Sequence, residues 1–335
     1  MRKLYFLVPG TGGKFACGGL WAELKTLELA RQICSAEVVT YRQREQGRLF
    51  LDDLLGESEL DDAIFVISWG FDVARLAKRL KSYHAIYHAH SAGYGFTLPA
   101  NIPIIAVSRN TMGYWGQRSP NSPIYYLPNQ ISDEFQNLHR DRDIDVLVQA
   151  RKSSTYLMRE LIPTLQEHCR VYVVDSYVED LAGLFNRAKV YLYDSAEYWA
   201  TQRVSEGFGL QPMEAIACGC WVFSSVNGGL SDYLDPGFNC DKIAGYAKEY
   251  DVQRILQAVA KMENNTSPSL STEFIAEYRA ENIVYRLNVI LKEIDRFFDR
   301  EQHYGSPIPN LTPMRVMQLK AQRLFAQIKK KIGLR

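Results

Sequence analysis

The residues of this chain best suited to chemistry lie in Glu206-Gly207-Phe208-Gly209-Leu210-Gln211-Pro212-Met213-Glu214-Ala215. Two glycines let a backbone approach a ligand closely. Pro212 suits the first residue of a helix whose free N–H groups face the same point. Such a place favours an anion. Glu206, just before the loop, and Glu214, in the first turns of the helix, could bracket a polyhydroxylated ligand whose phosphates rest on the helix end. The pair also has a purely structural explanation, because helix N-termini attract acidic residues for electrostatic reasons alone.

Other candidates are spread along the chain. Gly10, Gly12, Gly13, Gly18 and Gly19 form a glycine-rich loop leading into a helix, able to cradle phosphate but lacking GxGxxG spacing; a flexible connection would look the same. His88 and His90 fall at the carboxyl end of a strand, where site residues collect. Two histidines two apart invite a metal, but no third ligand of suitable type lies nearby in sequence, so no metal site is expected. Arg151 and Lys152 follow another strand end and suit a diphosphate, although a solvated basic turn is the alternative. Asp141-Arg142-Asp143 has the form of a metal-binding DxD, yet its place between polar residues favours a solvated turn.

These residues need a scaffold that brings strand ends together. The 335 residues suffice for two domains, and 47% hydrophobic with 23% charged residues is the composition of an ordinary globular protein. Lys plus Arg number 39 against 38 for Asp plus Glu, so net charge gives no reason to expect a nucleic-acid partner. Six cysteines without a CxxC pair read as reduced thiols. The apolar run at the N-terminus stops at Pro9, too soon for a secretory signal, and no stretch is long enough to span a bilayer, so a cytoplasmic protein is expected.

Two series of short β-branched and aromatic runs alternate with helical periods, the pattern of parallel βαβ units. The first series predicts strands at 4–8, 37–41, 63–68, 85–88, 104–107 and 124–127, with helices at 20–33 and 73–80. The second predicts strands at 144–149, 171–174, 190–193 and 221–224. The fold class is therefore α/β, with two facing Rossmann-like, doubly wound domains over 1–135 and 143–270 and the site in the cleft between them. A nearly unbroken helical pattern over 271–300 is stopped by Ser306-Pro307-Ile308-Pro309. The tail, 313–335, has seven basic residues after Met314, no acidic one, and an apolar stripe through Met317, Ala321, Leu324, Phe325, Ile328 and Ile332. It suits an anionic membrane surface or packing on the protein's own body.

The segment from Glu206, continued by Ala217, Gly219, Gly228-Gly229 and Asp232, resembles the E-x7-E signature of retaining glycosyltransferases with the GT-B fold, particularly family 4. The resemblance spans residues 1 to about 300 and is strongest over 190–240. It implies a retaining transferase, with a hexose as the expected sugar, moving it from a nucleotide diphosphosugar to a glycan or lipid-linked acceptor. No cofactor or metal is expected. It further implies that Glu206 holds the donor sugar, Glu214 the ribose, and the amides of Phe208, Gly209 and Leu210 the diphosphate. Gly18-Gly19 matches the family's Gly-Gly pair, His90 its sugar-facing histidine, and Arg151 its phosphate-binding arginine. Two departures stand out. The family's lysine five or six residues after that arginine falls on Tyr156 or Leu157, leaving Lys152 or Arg159 as the second cation. Residues 196–205 lengthen the approach to Glu206, as a lid, an acceptor-binding loop or a surface insertion. The departures leave room for a non-catalytic sugar-nucleotide-binding protein, and the fold also hosts epimerases.

Overall fold

The apolar runs follow one another with little alternation because both sheets are covered on both faces; Ala63–Ile67, for example, is buried throughout. The computed structural model describes residues 1–56, 60, 62–243, 245–263, 272–304 and 313–332. The first sheet contains β1 (Lys3–Val8), β2 (Ala36–Thr40), β3 (Leu49–Phe50), β4 (Ala63–Ile67), β5 (His84–Ala89), β6 (Ile104–Ala106) and β7 (Ile124–Tyr126), in the order β3-β2-β1-β4-β5-β6-β7. The second contains β8 (Ile144–Gln149), β9 (Val171–Val174), β10 (Ala188–Tyr193), β11 (Trp221–Ser224) and β12 (Cys240–Lys242), in the order β12-β11-β10-β8-β9. Every pairing within both is parallel, and Leu7, for instance, stands opposite Val39 on one side and Ile67 on the other.

Helices α1 (Gly18–Ala30), α2 (Leu51–Leu54), α3 (Val73–Arg79) and α4 (Arg109–Arg118) connect the first sheet. Helices α5 (Ile162–Gln166), α6 (Leu181–Arg187), α7 (Ala196–Gln202), α8 (Leu210–Ala217) and α9 (Lys248–Glu263) serve the second. The order reverses beside β1 in one sheet and β8 in the other, and these reversals open crevices at the carboxyl ends of the strands. Each sheet carries an apolar core on both faces. In the first, Leu4 and Phe6 point to one and Tyr5 and Leu7 to the other.

Three helices follow: α10 (Thr272–Ala276), α11 (Ala280–Tyr304) and α12 (Pro313–Ile332). The near-continuous helix expected from 271 is broken at 277–279. There the Ile131 N–H donates to the Tyr278 carbonyl at 2.9 Å, and the Arg279 guanidinium donates to the carbonyls of Ile131 (3.2 Å), Ser132 and Phe135 (2.6 Å). The bend carries the chain from the second sheet's core, which includes Tyr278, to the first sheet's core, which α11 enters through Ile283, Leu287 and Ile294. Ser271, Ser306-Pro307-Ile308-Pro309 and Arg335 lie outside the described residues. On α12, Met317, Leu324, Phe325 and Ile328 of the apolar stripe face solvent, as does Met314; Met314, Met317 and Phe325 are each more than two-thirds exposed. No helix among the described residues is long and apolar enough to cross a membrane.

Candidate active site

The loop from Glu206 joins the two halves of the molecule. Gly207 abuts the His90 carbonyl oxygen so closely that a β-carbon there would collide with it, bringing the end of β5 against the second sheet. Gly209 has φ +79°, a left-handed conformation that suits glycine, and a β-carbon would strike Leu230. Helix α8 begins at Leu210, so Pro212 is its third residue and still needs no helical hydrogen-bond donor.

Glu206 is buried, and one of its oxygens, Oε2, accepts from the Tyr193 hydroxyl at 2.6 Å, the Ser195 hydroxyl at 3.0 Å and the Trp199 indole N–H. Asn227 donates to Ser195 Oγ at 3.1 Å and supports that arrangement. Glu214, one helix face further on, is also buried, but no described residue bonds its carboxylate. Burial pushes the Glu214 carboxyl up to about 7, the Lys25 charge opposing and Glu134 adding to the rise. Lys25 is itself tied to Ser132 Oγ at 2.6 Å.

His90 lies close to Glu206's loop and is not alone. Glu23, on α1, accepts from His88 Nδ1 at 2.5 Å and His90 Nε2 at 2.8 Å through one oxygen, Oε2. The sequence near the histidines offers no third group, and the fold supplies one: Glu23 is distant in sequence, but α1 lies across the sheet and delivers it. These three residues could hold a metal ion, since their ligand atoms lie within 4.8 Å of one another. The shared hydrogen bonds already account for their grouping. Burial raises the Glu23 carboxyl, but the charge and hydrogen bond of His88 and the bond from His90 outweigh it and hold the group below the ordinary carboxylate range. Burial first, and the neighbouring His88 second, lower the His90 pKa against the pull of Glu23. A signal for Glu23 existed. It occupies the buried face of α1 between Leu20 and Leu27, where a carboxylate is rare without a partner.

Arg151 is exposed beyond the end of β8 and makes no bond with a described residue. Lys152 adopts a left-handed backbone, φ +70°, and its Nζ lies 4.4 Å from the Trp199 ring centroid. Gly18 and Gly19 open α1 and are exposed; a β-carbon at Gly18 would meet nothing within 4 Å. Phe208 is buried in the second sheet's core, and its carbonyl accepts from Tyr233 Oη at 3.1 Å. Tyr156 is packed, its hydroxyl donating to Asp251 at 2.8 Å. Asp143 pairs with Arg187 at 2.6 Å, while Arg142 donates to the carbonyls of Phe185 (3.1 Å) and Cys218 (2.7 Å), so the DxD-like turn has structural work. Residues 196–202 of the extra segment are helical, as α7.

Residues 154–280 match the family model "Glycosyl transferases group 1". No curated protein matches the chain. Among solved structures, the glycosyltransferase from Rickettsia africae superposes with a TM-score of 0.66 at 11% identity, covering 88% of this chain and 99% of that one. A sucrose-phosphate synthase from Thermosynechococcus elongatus gives 0.63 at 14% identity, covering 88% and 100%. HepE of Anabaena, in complex with UDP and glucose, gives 0.61 at 13% identity, covering 87% and 100%. At these identities the likeness establishes the fold alone. Residues 154–280 are thus similar to a group 1 glycosyl transferase domain, within a chain of two parallel sheets that has the GT-B fold.

Proposed function

We propose that the protein is a retaining glycosyltransferase that moves a hexose from a nucleotide diphosphosugar to an acceptor hydroxyl. The observation that carries this reading is the contrast within one loop and helix: Glu206 is held by three donors beside the His90 loop, whereas Glu214 is buried without a partner. A buried carboxylate lacking donors suits a ligand that brings its own, and two ribose hydroxyls do so. The diphosphate then rests on the free amides of Phe208, Gly209 and Leu210 and on Arg151, with Lys152 as second cation and Gly18-Gly19 as the open wall opposite. Glu206 and His90 orient the sugar. The acceptor oxygen attacks the face from which the nucleotide leaves, and the departing phosphate oxygen takes the acceptor proton. Arg151 and the helix-end amides stabilise the charge developing on that phosphate. UDP is the nucleotide of first choice, because the similarly folded HepE is described in complex with it.

The acceptor is a glycan or a lipid-linked saccharide. The exposed apolar stripe of α12, bordered by Arg315, Lys320 and Arg323, supports an anionic membrane surface as the place where it is met. Deleting residues 313–335 should weaken binding to phosphatidylglycerol vesicles while the rest stays folded; unchanged vesicle binding would remove the membrane from this reading.

The functional test has two parts. UDP in EDTA, at about 100 times its dissociation constant, should stabilise the protein by about 2.7 kcal/mol, and a UDP-sugar should be consumed in the presence of a membrane or glycan extract. No stabilisation by any nucleoside diphosphate would refute the site. Stabilisation without transfer to any acceptor would favour a binding protein over an enzyme.

A further inference from the structure

His88 and His90 stand two positions apart along β5 and its end, and Glu23 of α1 meets both of them. The Glu23 carboxylate is 1% exposed and works through one oxygen. Oε2 faces His88 Nδ1 at 2.5 Å and His90 Nε2 at 2.8 Å, whereas Oε1 has no bond with a described residue. A carboxylate this deeply buried is costly unless the groups around it donate to it, and the two rings are the groups that do.

That arrangement decides where the hydrogens are. An ionised carboxylate accepts and never donates, and Glu23 is held ionised by the same two rings, so each nitrogen facing it carries a hydrogen. For His90 that nitrogen is Nε2. Burial lowers His90 below the ordinary histidine value of 6.5, so at pH 8 its ring has a single hydrogen and Nδ1 has only a lone pair. Nδ1 receives no bond from a described residue and is open to solvent, the side chain being 14% exposed. The ring is also fixed in place. His88 lies against it with centroids 4.3 Å apart, and turning the ring over would set a carbon against the buried carboxylate in place of a donor.

We propose that Glu23 is a positioning residue of the donor-sugar subsite: by accepting the Nε2–H of His90 on Oε2 it leaves the Nδ1 lone pair as the ring's one open nitrogen, so that His90 accepts a hydrogen bond from a sugar hydroxyl and donates none. The inference rests on the reading that His90 orients the sugar. Glu23 itself is too deeply buried to touch the donor, and it acts through the ring. The nucleoside diphosphate lacks the sugar and is indifferent to both residues.

The test uses full-length protein with 15N-labelled histidine at pH 8, where six residues are few enough to resolve and His90 is identified by its loss in His90→Ala. The free protein should show the His90 hydrogen on Nε2, protected from exchange with water, and a bare Nδ1. UDP-glucose, or whichever of UDP-N-acetylglucosamine, GDP-mannose and ADP-glucose stabilises the protein best, should move the Nδ1 resonance, and the matching diphosphate should not. Glu23→Leu removes the acceptor. It should lose the protection of the Nε2 hydrogen and bind that donor about tenfold more weakly with the diphosphate unchanged, the effect of one hydrogen bond of ordinary strength. Glu23→Gln, whose carbonyl oxygen still accepts, should restore both. Circular dichroism checks that the Glu23 variants are folded, and the hydrogen's position is read with Glu23 intact: a hydrogen on Nδ1 there overturns the proposal. So does a folded Glu23→Leu that binds the donor as the parent does while His90→Ala binds it less well, because His90 then meets the sugar without Glu23. If His90→Ala itself keeps full donor affinity, the reading of His90 as a sugar-orienting residue is what fails, and the proposed sugar bond falls with it.

Discussion

Glu206 and Glu214 stand eight positions apart on one loop and helix, and both are buried, yet their carboxylates have opposite surroundings. Glu206 receives three donors on one oxygen, while Glu214 receives none from a described residue and is pushed up to about 7 by burial. The first is a built-in part of its domain's structure, fixed in orientation before any ligand arrives. The second carries a desolvation cost that the Lys25 charge only partly offsets and that a ligand with hydroxyl donors would relieve. A pair of identical residues can therefore divide between orienting and capturing without any difference in side-chain chemistry.

The contrast can be broken most strongly at Glu206. Glu206→Ala leaves the Tyr193 and Ser195 hydroxyls buried without their acceptor, and should destabilise the ligand-free protein by about 3–5 kcal/mol in urea unfolding. A loss under about 1 kcal/mol would mean that the three bonds do not hold the carboxylate as described. At Glu214 the sign reverses and the effect depends on pH. With its carboxyl raised from 4.5 to about 7, the folded state binds more protons than the unfolded state between those values, so stability falls as pH rises through that window. Glu214→Gln should accordingly stabilise the ligand-free protein above pH 7, by up to about 3 kcal/mol, and the gain should vanish towards pH 4. Unfolding midpoints of parent and variant at pH 4, 6 and 8 read this directly; a variant less stable at every pH would show that Glu214 has a partner.

Much of this arrangement was legible in the amino-acid order. The runs that became β1, β4, β8 and β11 stand out because strands buried on both faces need continuous apolar sequence, and the loop at Glu206 stands out because glycines, proline and acids fall within ten positions. The strands β3 and β12 were not legible, since two or three residues at a sheet edge leave no period to read. Nor was the break between α10 and α11, which is set by Arg279 reaching carbonyls nearly 150 positions away rather than by a local breaker. The same holds at the site. Glu23 joins His88 and His90 only because α1 packs across the first sheet, and Trp199 joins Glu206 only because α7 folds back on it. Spacing announces groups that act from neighbouring turns; contacts that tertiary packing creates have no spacing to announce them.

The division between the two glutamates is tested most directly by calorimetric titration of Glu206→Gln and Glu214→Gln with UDP and with the intact sugar nucleotide, both variants first checked for folding by circular dichroism. A charge-assisted hydrogen bond contributes about 1.5–3 kcal/mol, so a lost one weakens binding by roughly 10- to 150-fold. Glu214→Gln should lose affinity by that factor for both ligands, because both carry the ribose. Glu206→Gln should bind UDP as the parent does while losing affinity or turnover with the sugar nucleotide. Equal losses for the two ligands in Glu206→Gln, or undiminished UDP binding in Glu214→Gln, would contradict the assignment.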